Sequence, residues 1–128
     1  MNTNKPVFYR CNVCGNIVGL IESGGGVLEC CKTPMEKLVP NSQEAAVEKH
    51  IPVIKRNGNS LKVVIGSVEH PMIAAHYIQW ICVMNGSKVQ RVRLLPGEKP
   101  EANFTLDSNE TVDVFAYCNI HGLWTAKG

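Results

Sequence analysis

No run of this sequence stays apolar for the roughly 18 residues that a membrane-spanning helix requires. The opening Met1-Asn2-Thr3-Asn4-Lys5-Pro6 lacks the apolar core of a secretory signal, so a cytoplasmic location is expected. Charge of one sign is also lacking. A formal balance of +2, scattered along the chain, argues against nucleic acid or an anionic membrane surface as partner. Histidine is scarce, with only four in the chain, at positions 50, 70, 76 and 121. The one glycine run, Gly24-Gly25-Gly26, is not followed by the Lys-Ser/Thr of a phosphate-binding loop and reads as a hairpin turn before Val27-Leu28-Glu29.

Against these absences stand six cysteines. Without an export signal they point to a reducing compartment, where thiols bind metal or do chemistry rather than form bridges. The chain's 128 residues suit one ordinary domain, or one small domain beside a larger one. Composition favours the second arrangement. Residues up to about 39 hold four of the six cysteines and no histidine, whereas all four histidines lie beyond. Pro40-Asn41-Ser42-Gln43-Glu44-Ala45-Ala46, polar and without strand alternation, reads as the linker.

In the first segment Cys11-x-x-Cys14 is followed, after fifteen intervening residues, by Cys30-Cys31. A Cys-x-x-Cys turn presents two sulfurs to one ion, and a second pair closes a tetrahedral site. A segment this short cannot bury enough apolar surface to fold alone, so metal binding would supply the missing free energy. Val7 to Arg10 and Ile17 to Ile21 read as its strands. By ligand type, four thiolates suit Zn²⁺ or a single iron equally well. The adjacent pair is the unusual feature. Neighbours on an extended chain point apart, so using both sulfurs forces an irregular backbone. A zinc ribbon-like knuckle and a Cys30–Cys31 disulfide are the alternatives, the latter disfavoured in a reducing compartment.

The second segment reads as about seven strands separated by Asn-Gly and Pro-Gly turns, which suggests a β-sandwich of immunoglobulin-like size. Six of the runs are Leu61 to Val68, His76 to Met84, Val89 to Leu95, Asn103 to Leu106, Thr111 to Cys118 and Leu123 to Thr125. His50 stands at the mouth of a strand or loop, because Ile51 precedes Pro52 and is held extended. In Thr111 to Cys118, alternation puts Val112, Val114, Ala116 and Cys118 on one face, so Cys118 is expected to point inward. Cys82 shares parity with Ile78 and Trp80 and reads as a small buried hydrophobe.

Any single histidine is more often a surface or hydrogen-bonded residue than a ligand. Here all four lie beside a turn or a proline, and Cys118 and His121 sit three apart at one turn. Four imidazoles and one thiolate are too many for zinc. Five nitrogen and sulfur ligands with one vacancy suit redox-active iron. The vacancy is expected to face the loops that carry His50 and Lys49.

Cys11-x-x-Cys14 with Cys30-Cys31, Glu48-Lys49-His50, His70-Pro71-Met72, His76-Tyr77-Ile78 and Cys118-Asn119-Ile120-His121-Gly122-Leu123-Trp124 occur here in one order. With these motifs the chain resembles, over essentially its whole length, the desulfoferrodoxins, two-iron superoxide reductases. The resemblance implies an all-β protein. Residues 1–38 would form a desulforedoxin-like domain whose Cys11, Cys14, Cys30 and Cys31 hold one iron. Residues 39–128 would form an immunoglobulin-like sandwich whose iron has His50, His70, His76 and His121 equatorial and Cys118 axial. It implies a homodimer, one-electron reduction of superoxide to hydrogen peroxide, and rubredoxin as the usual donor.

Within that resemblance Lys49 would draw in the anion and order the water that protonates the product, and Glu48 would reach the sixth position on oxidised iron. Ferrous iron with one thiolate and four neutral imidazoles carries a formal charge of about +1, which adds to the attraction of Lys49. The alternative for Glu48 and Lys49 is a solvated charge pair. Three positions depart from the pattern: Lys32 stands where glycine is expected, Gln79 where glutamate is usual, and Cys82 is an extra thiol. For the whole chain the alternatives are a non-catalytic electron-transfer protein and a zinc-binding interaction module.

Overall fold

The computed structural model describes residues 7–41 and 49–128. Glu48, the opening Met1 to Pro6, and Ser42 to Ala46 of the expected linker lie outside the described residues. Among the described residues there is no helix, hence none long and apolar enough to cross a membrane. The chain divides into two compact units, Met1–Val39 and Pro40–Gly128.

In the first unit β1 (Val7–Arg10) is the central strand of a three-stranded antiparallel sheet, between β2 (Ile17–Leu20) and β5 (Glu36–Lys37). β3 (Glu29–Cys30) and β4 (Thr33–Pro34) form a separate hairpin. The Gly24-Gly25-Gly26 run therefore does not close a hairpin between paired strands. β2 pairs with β1 and β3 with β4, and the glycines are a connecting bend in which Gly25 takes φ +86°. Val27 and Leu28 are outside any strand. Few side chains of this unit are buried, Phe8 and Cys11 among them. Val13, Ile21 and Val27 remain exposed, so apolar burial contributes little to holding it together.

Among the described residues the second unit contains seven strands in two antiparallel sheets. β6 (Pro52–Asn57), β7 (Ser60–Ile65) and β10 (Glu101–Thr105) form one, in the order β10-β7-β6. β8 (Ile78–Asn85), β9 (Lys88–Arg93), β11 (Asp113–Cys118) and β12 (Gly122–Lys127) form the other, in the order β12-β11-β8-β9. Leu61, Val63 and Ile65 of β7, Ala102 and Phe104 of β10, Ile81 and Val83 of β8, and Val114, Ala116 and Cys118 of β11 form one buried cluster. Each aliphatic side chain so buried stabilises the fold by about 2 kcal/mol. Cys118 has no exposed surface, as its parity with Val114 and Ala116 requires.

Several expected strands are shorter than the sequence suggests, and two of them border the histidine cluster. The run from Leu61 stops at Ile65, because Gly66 turns the chain at φ +84°. The run from His76 begins only at Ile78; His76 sits in a tight turn, exchanging backbone hydrogen bonds with Ile73. The linker reading is also corrected at its head. Asn41 bridges to Trp124, with Asn41 N–H donating to Leu123 O and Thr125 N–H to Asn41 O.

One irregularity places the site. Along β11, Tyr117 pairs with Trp80 but the next residue, Cys118, pairs with Ile78, so Gln79 is an extra residue in β8. A bulge of this kind reverses side-chain parity on the bulged strand. Ile81 and Val83 face the core above it, and Ile78 does so below it. Cys82 therefore faces away from Ile78, contrary to the simple alternation. It is buried beside its pairing partner Phe115, on the sheet face that also carries Trp80 and Tyr117. Burial pushes its thiol up to about 11, which keeps it protonated and unreactive.

Candidate metal centres

The first cluster is built by two turns. Cys11 directly follows β1, and Cys11 N–H donates to Asn16 O while Gly15 N–H donates to Cys11 O, closing a knuckle around Cys14. Gly15, at φ +82°, makes that return possible. The adjacent pair is accommodated by a two-residue hairpin: Cys30 pairs with Thr33, leaving Cys31 and Lys32 as the turn, at φ 53° and 62°. Positive φ at both central residues is the geometry of a type I′ turn. It swings Cys31 Sγ back to 3.9 Å from Cys30 Sγ, and Cys14 Sγ lies 3.6 Å from Cys30 Sγ. Lys32 thus occupies a left-handed position that glycine takes without strain, at a cost of about 1 kcal/mol.

The four sulfurs lie within 4.8 Å of one another. Backbone N–H donation from Cys14 lowers the Cys11 thiol to about 6, while the thiols of Cys14, Cys11 and Cys30 push Cys31 up to about 12. Crowded thiols resist losing successive protons until a cation offsets the charge.

The second cluster is a square. Ring centroids are 4.7 Å apart for His50 and His70, 4.7 Å for His70 and His76, 5.0 Å for His76 and His121, and 4.6 Å for His121 and His50. The His50–His76 diagonal is 6.4 Å, close to the length expected for a square with those sides. Successive rings are inclined by 67° to 80°, like vanes. His50, His76, His121 and Cys118 have ligand atoms within 4.8 Å of one another, and Cys118 Sγ is 3.7 Å from His121 Nδ1. The donor atoms of four of the five expected ligands are therefore gathered, from positions 71 residues apart in the case of His50 and His121, and the His70 ring stands beside them against His50 and His76.

The unsatisfied atoms identify what the cluster fits. Nε2 of His70 and Nε2 of His76 are buried with no hydrogen-bond partner. Such orphans are costly unless a ligand completes them. His70 Nδ1–H donates to Pro71 O at 2.7 Å, which leaves the lone pair on Nε2. His50 Nε2 and His121 Nδ1 converge at 3.0 Å, so His121 would bind through Nδ1. Burial lowers His70 to about 4 and also lowers His76, with Lys49 adding a smaller effect at His76. Both rings are thus neutral and able to donate a lone pair. Four imidazole nitrogens and a thiolate fit one iron ion.

His50 and His70 are buried, Lys49 is half-buried, and His121 is the exposed ligand.

Three supporting residues escaped the sequence reading. Trp124 stacks on His50, with centroids 4.8 Å apart and planes inclined by 16°, and its Nε1–H donates to His121 O. Asn119 is hydrogen-bonded on both sides of His76. Gly66 leaves no room for a side chain, since a Cβ would lie 2.4 Å from Lys49 O. An aromatic and an asparagine next to ligands were the available signals for the first two; nothing local marked the third.

The family described as Desulfoferrodoxin matches residues 42–127, and the Desulfoferrodoxin N-terminal domain matches residues 3–38. The chain is 48% identical over 122 residues to a desulfoferrodoxin homolog of Methanothermobacter thermautotrophicus, covering 95% of this chain and 98% of that one. It is 47% identical to the desulfoferrodoxin of Syntrophotalea carbinolica, covering 97% and 98%. Its fold is similar to the crystal structure of the superoxide reductase from Treponema pallidum, with a TM-score of 0.80, 28% identity, and coverage of 96% and 98%. On these matches, the chain belongs to the desulfoferrodoxin family.

Proposed function

We propose that this chain is a superoxide reductase, catalysing O₂•⁻ + e⁻ + 2 H⁺ → H₂O₂ in its second unit. The observation that carries this reading is the square of four imidazoles closed by Cys118, with two buried ring nitrogens left unpartnered. Iron held by His50, His70, His76 and His121 and by Cys118 would supply one-electron chemistry between its ferrous and ferric states, and the thiolate's electron donation favours passing the electron on.

The chain's own residues prepare that site. His121 N–H donates to Cys118 Sγ at 3.5 Å and helps to hold the sulfur in place. The ammonium of Lys49, adjacent in sequence to His50, attracts superoxide and orients the water that delivers protons to the product. Glu48 is assigned the carboxylate role at the open position. The functional division runs 1–38 and 39–128, with Cys11, Cys14, Cys30 and Cys31 holding an accessory iron.

A small rubredoxin-type protein is the proposed electron donor, the cytoplasm the compartment, and a homodimer the assembly. The dimer is supported by the exposed Val13, Ile21, Val27 and Val39 of the first unit, an apolar set that a second copy would cover. The exposed sulfurs of Cys14 and Cys31 favour a second reading, in which the first centre exchanges electrons with partners and the second is unreactive. Purified chain is assayed for metal and visible absorption, reduced, and mixed with superoxide. Two irons per chain and oxidation of the His/Cys centre at the pace of superoxide loss are expected. A colourless zinc protein, or a second iron that stays reduced, would sink the proposal.

A further inference from the structure

Asn119 is the residue after Cys118, at the point where β11 leaves the sheet. Its backbone N–H donates to Tyr77 O at 3.2 Å. Its carboxamide then acts in place of a further strand. Oδ1 accepts Tyr77 N–H at 2.9 Å, and Nδ2–H donates to Ala75 O at 3.1 Å. These partners are the two neighbours of His76 in the chain. The backbone of His76 is itself tied to Ile73 in both directions, by hydrogen bonds of 2.9 and 3.1 Å. His76 therefore stands in a closed turn, and its flanks are fastened to the Cys118 turn by the backbone N–H and the side chain of Asn119.

The Gln79 bulge explains why a side chain is needed there. Pairing between β11 and β8 ends at Cys118 and Ile78, so backbone beyond that point has no regular ladder partner. Without that side chain the Tyr77 N–H and the Ala75 carbonyl would lose these partners, and the His76 turn would be held to the Cys118 turn by the single backbone bond from Asn119 N–H to Tyr77 O. A carboxamide is the side chain that carries one acceptor and one donor group side by side, matching the amide edge it replaces.

We propose that Asn119 is a positioning residue for the second centre: it locks the His76 ring against the Cys118 sulfur, so that an imidazole and the thiol donor are aligned before metal enters. The proposal rests on the reading of this cluster as an iron site. Preorganised ligands are held in geometry by neighbours that never touch the metal, and loss of such neighbours typically costs ten- to a hundredfold in metal affinity.

The test compares iron-loaded full-length chain with Asn119→Ala and Asn119→Gln. Gln keeps the carboxamide but displaces it by one methylene. Iron release to a chelator and the ferric absorption and paramagnetic resonance of the His/Cys centre are recorded, with the four-cysteine centre of the same molecule as internal reference. Roughly tenfold faster release from the His/Cys centre and a shifted signal there, with the four-cysteine signal unchanged, are expected for Ala. Gln should change the same signals in the same direction. Wild-type release and spectra in either folded variant would overturn the proposal, as would iron leaving both centres together. A wild-type chain that lacks the His/Cys signal would overturn the iron reading itself.

Discussion

The indole of Trp124 lies almost parallel to the imidazole of His50, 4.8 Å between centroids, while its Nε1–H donates to His121 O at 3.2 Å. One side chain from β12 thus braces two neighbouring corners of the square. Trp124→Phe keeps an aromatic face for His50 but loses the hydrogen bond, and should cost about 1 kcal/mol. Trp124→Ala removes both and leaves a hole, at about 3 to 5 kcal/mol. Urea denaturation of the two variants measures the difference, and equal losses would show that stacking contributes nothing.

Gly66 lies against the backbone of the ligand loop, where a Cβ would meet Lys49 O and Val68 O, each at 2.4 Å. Its N–H donates to Ile51 O, and its φ of +84° disfavours any other residue. Gly66→Ala should destabilise the second unit by at least about 2 kcal/mol and displace Lys49 and His50 together. The expected signature is a lower unfolding midpoint accompanied by weaker iron retention. A variant with normal stability and normal retention would contradict the close approach.

Removing the charge at Lys49 separates attraction from chemistry. Lys49→Ala should slow the bimolecular reaction with superoxide by roughly fivefold at low ionic strength. The gap between variant and wild type should narrow as salt is raised, since screening weakens the wild-type advantage. Stopped-flow mixing across a salt series checks this, and parallel salt dependences would remove the steering role.

Metal-free protein should lose stability as pH falls from about 6.5 to about 4. His70 titrates near 6.5 when unfolded but at about 4 in the fold, chiefly because burial disfavours the imidazolium. Between those values the unfolded chain binds the proton and the folded chain does not, so acid favours unfolding. The stabilisation is complete above about 6.5 and decreases on the way down to about 4. His76, lowered mainly by burial, acts in the same direction. Urea midpoints measured from pH 7.5 to 4 should fall steadily; midpoints that rise toward acid would contradict the assignment.

The two donor clusters were legible because metal chemistry selects residue types and local spacing presents them. Cys11 and Cys14 need only a knuckle closed by Gly15, and the irregular backbone expected at Cys30-Cys31 is the two-residue hairpin turn at φ 53° and 62°. The inward aim of Cys118 follows from alternation along a strand that has no bulge of its own. Where alternation met the Gln79 bulge, it misplaced Cys82 relative to Ile78. The extra residue is visible only once β8 and β11 are paired. The Gly24-Gly25-Gly26 run was misread for a related reason, because a turn signal does not say which strands it joins.

From sequence alone, a set of five nitrogen and sulfur donors beside a set of four thiolates was determined, since donor atoms belong to residues and survive any fold. The tertiary structure decided how those donors meet. The square of His50, His70, His76 and His121, the exposure of His121, the stacking of Trp124 and the bridge of Asn119 to both flanks of His76 all depend on contacts between distant segments. Such contacts are set by strand register and one bulge, and neither is encoded in the spacing of any single motif.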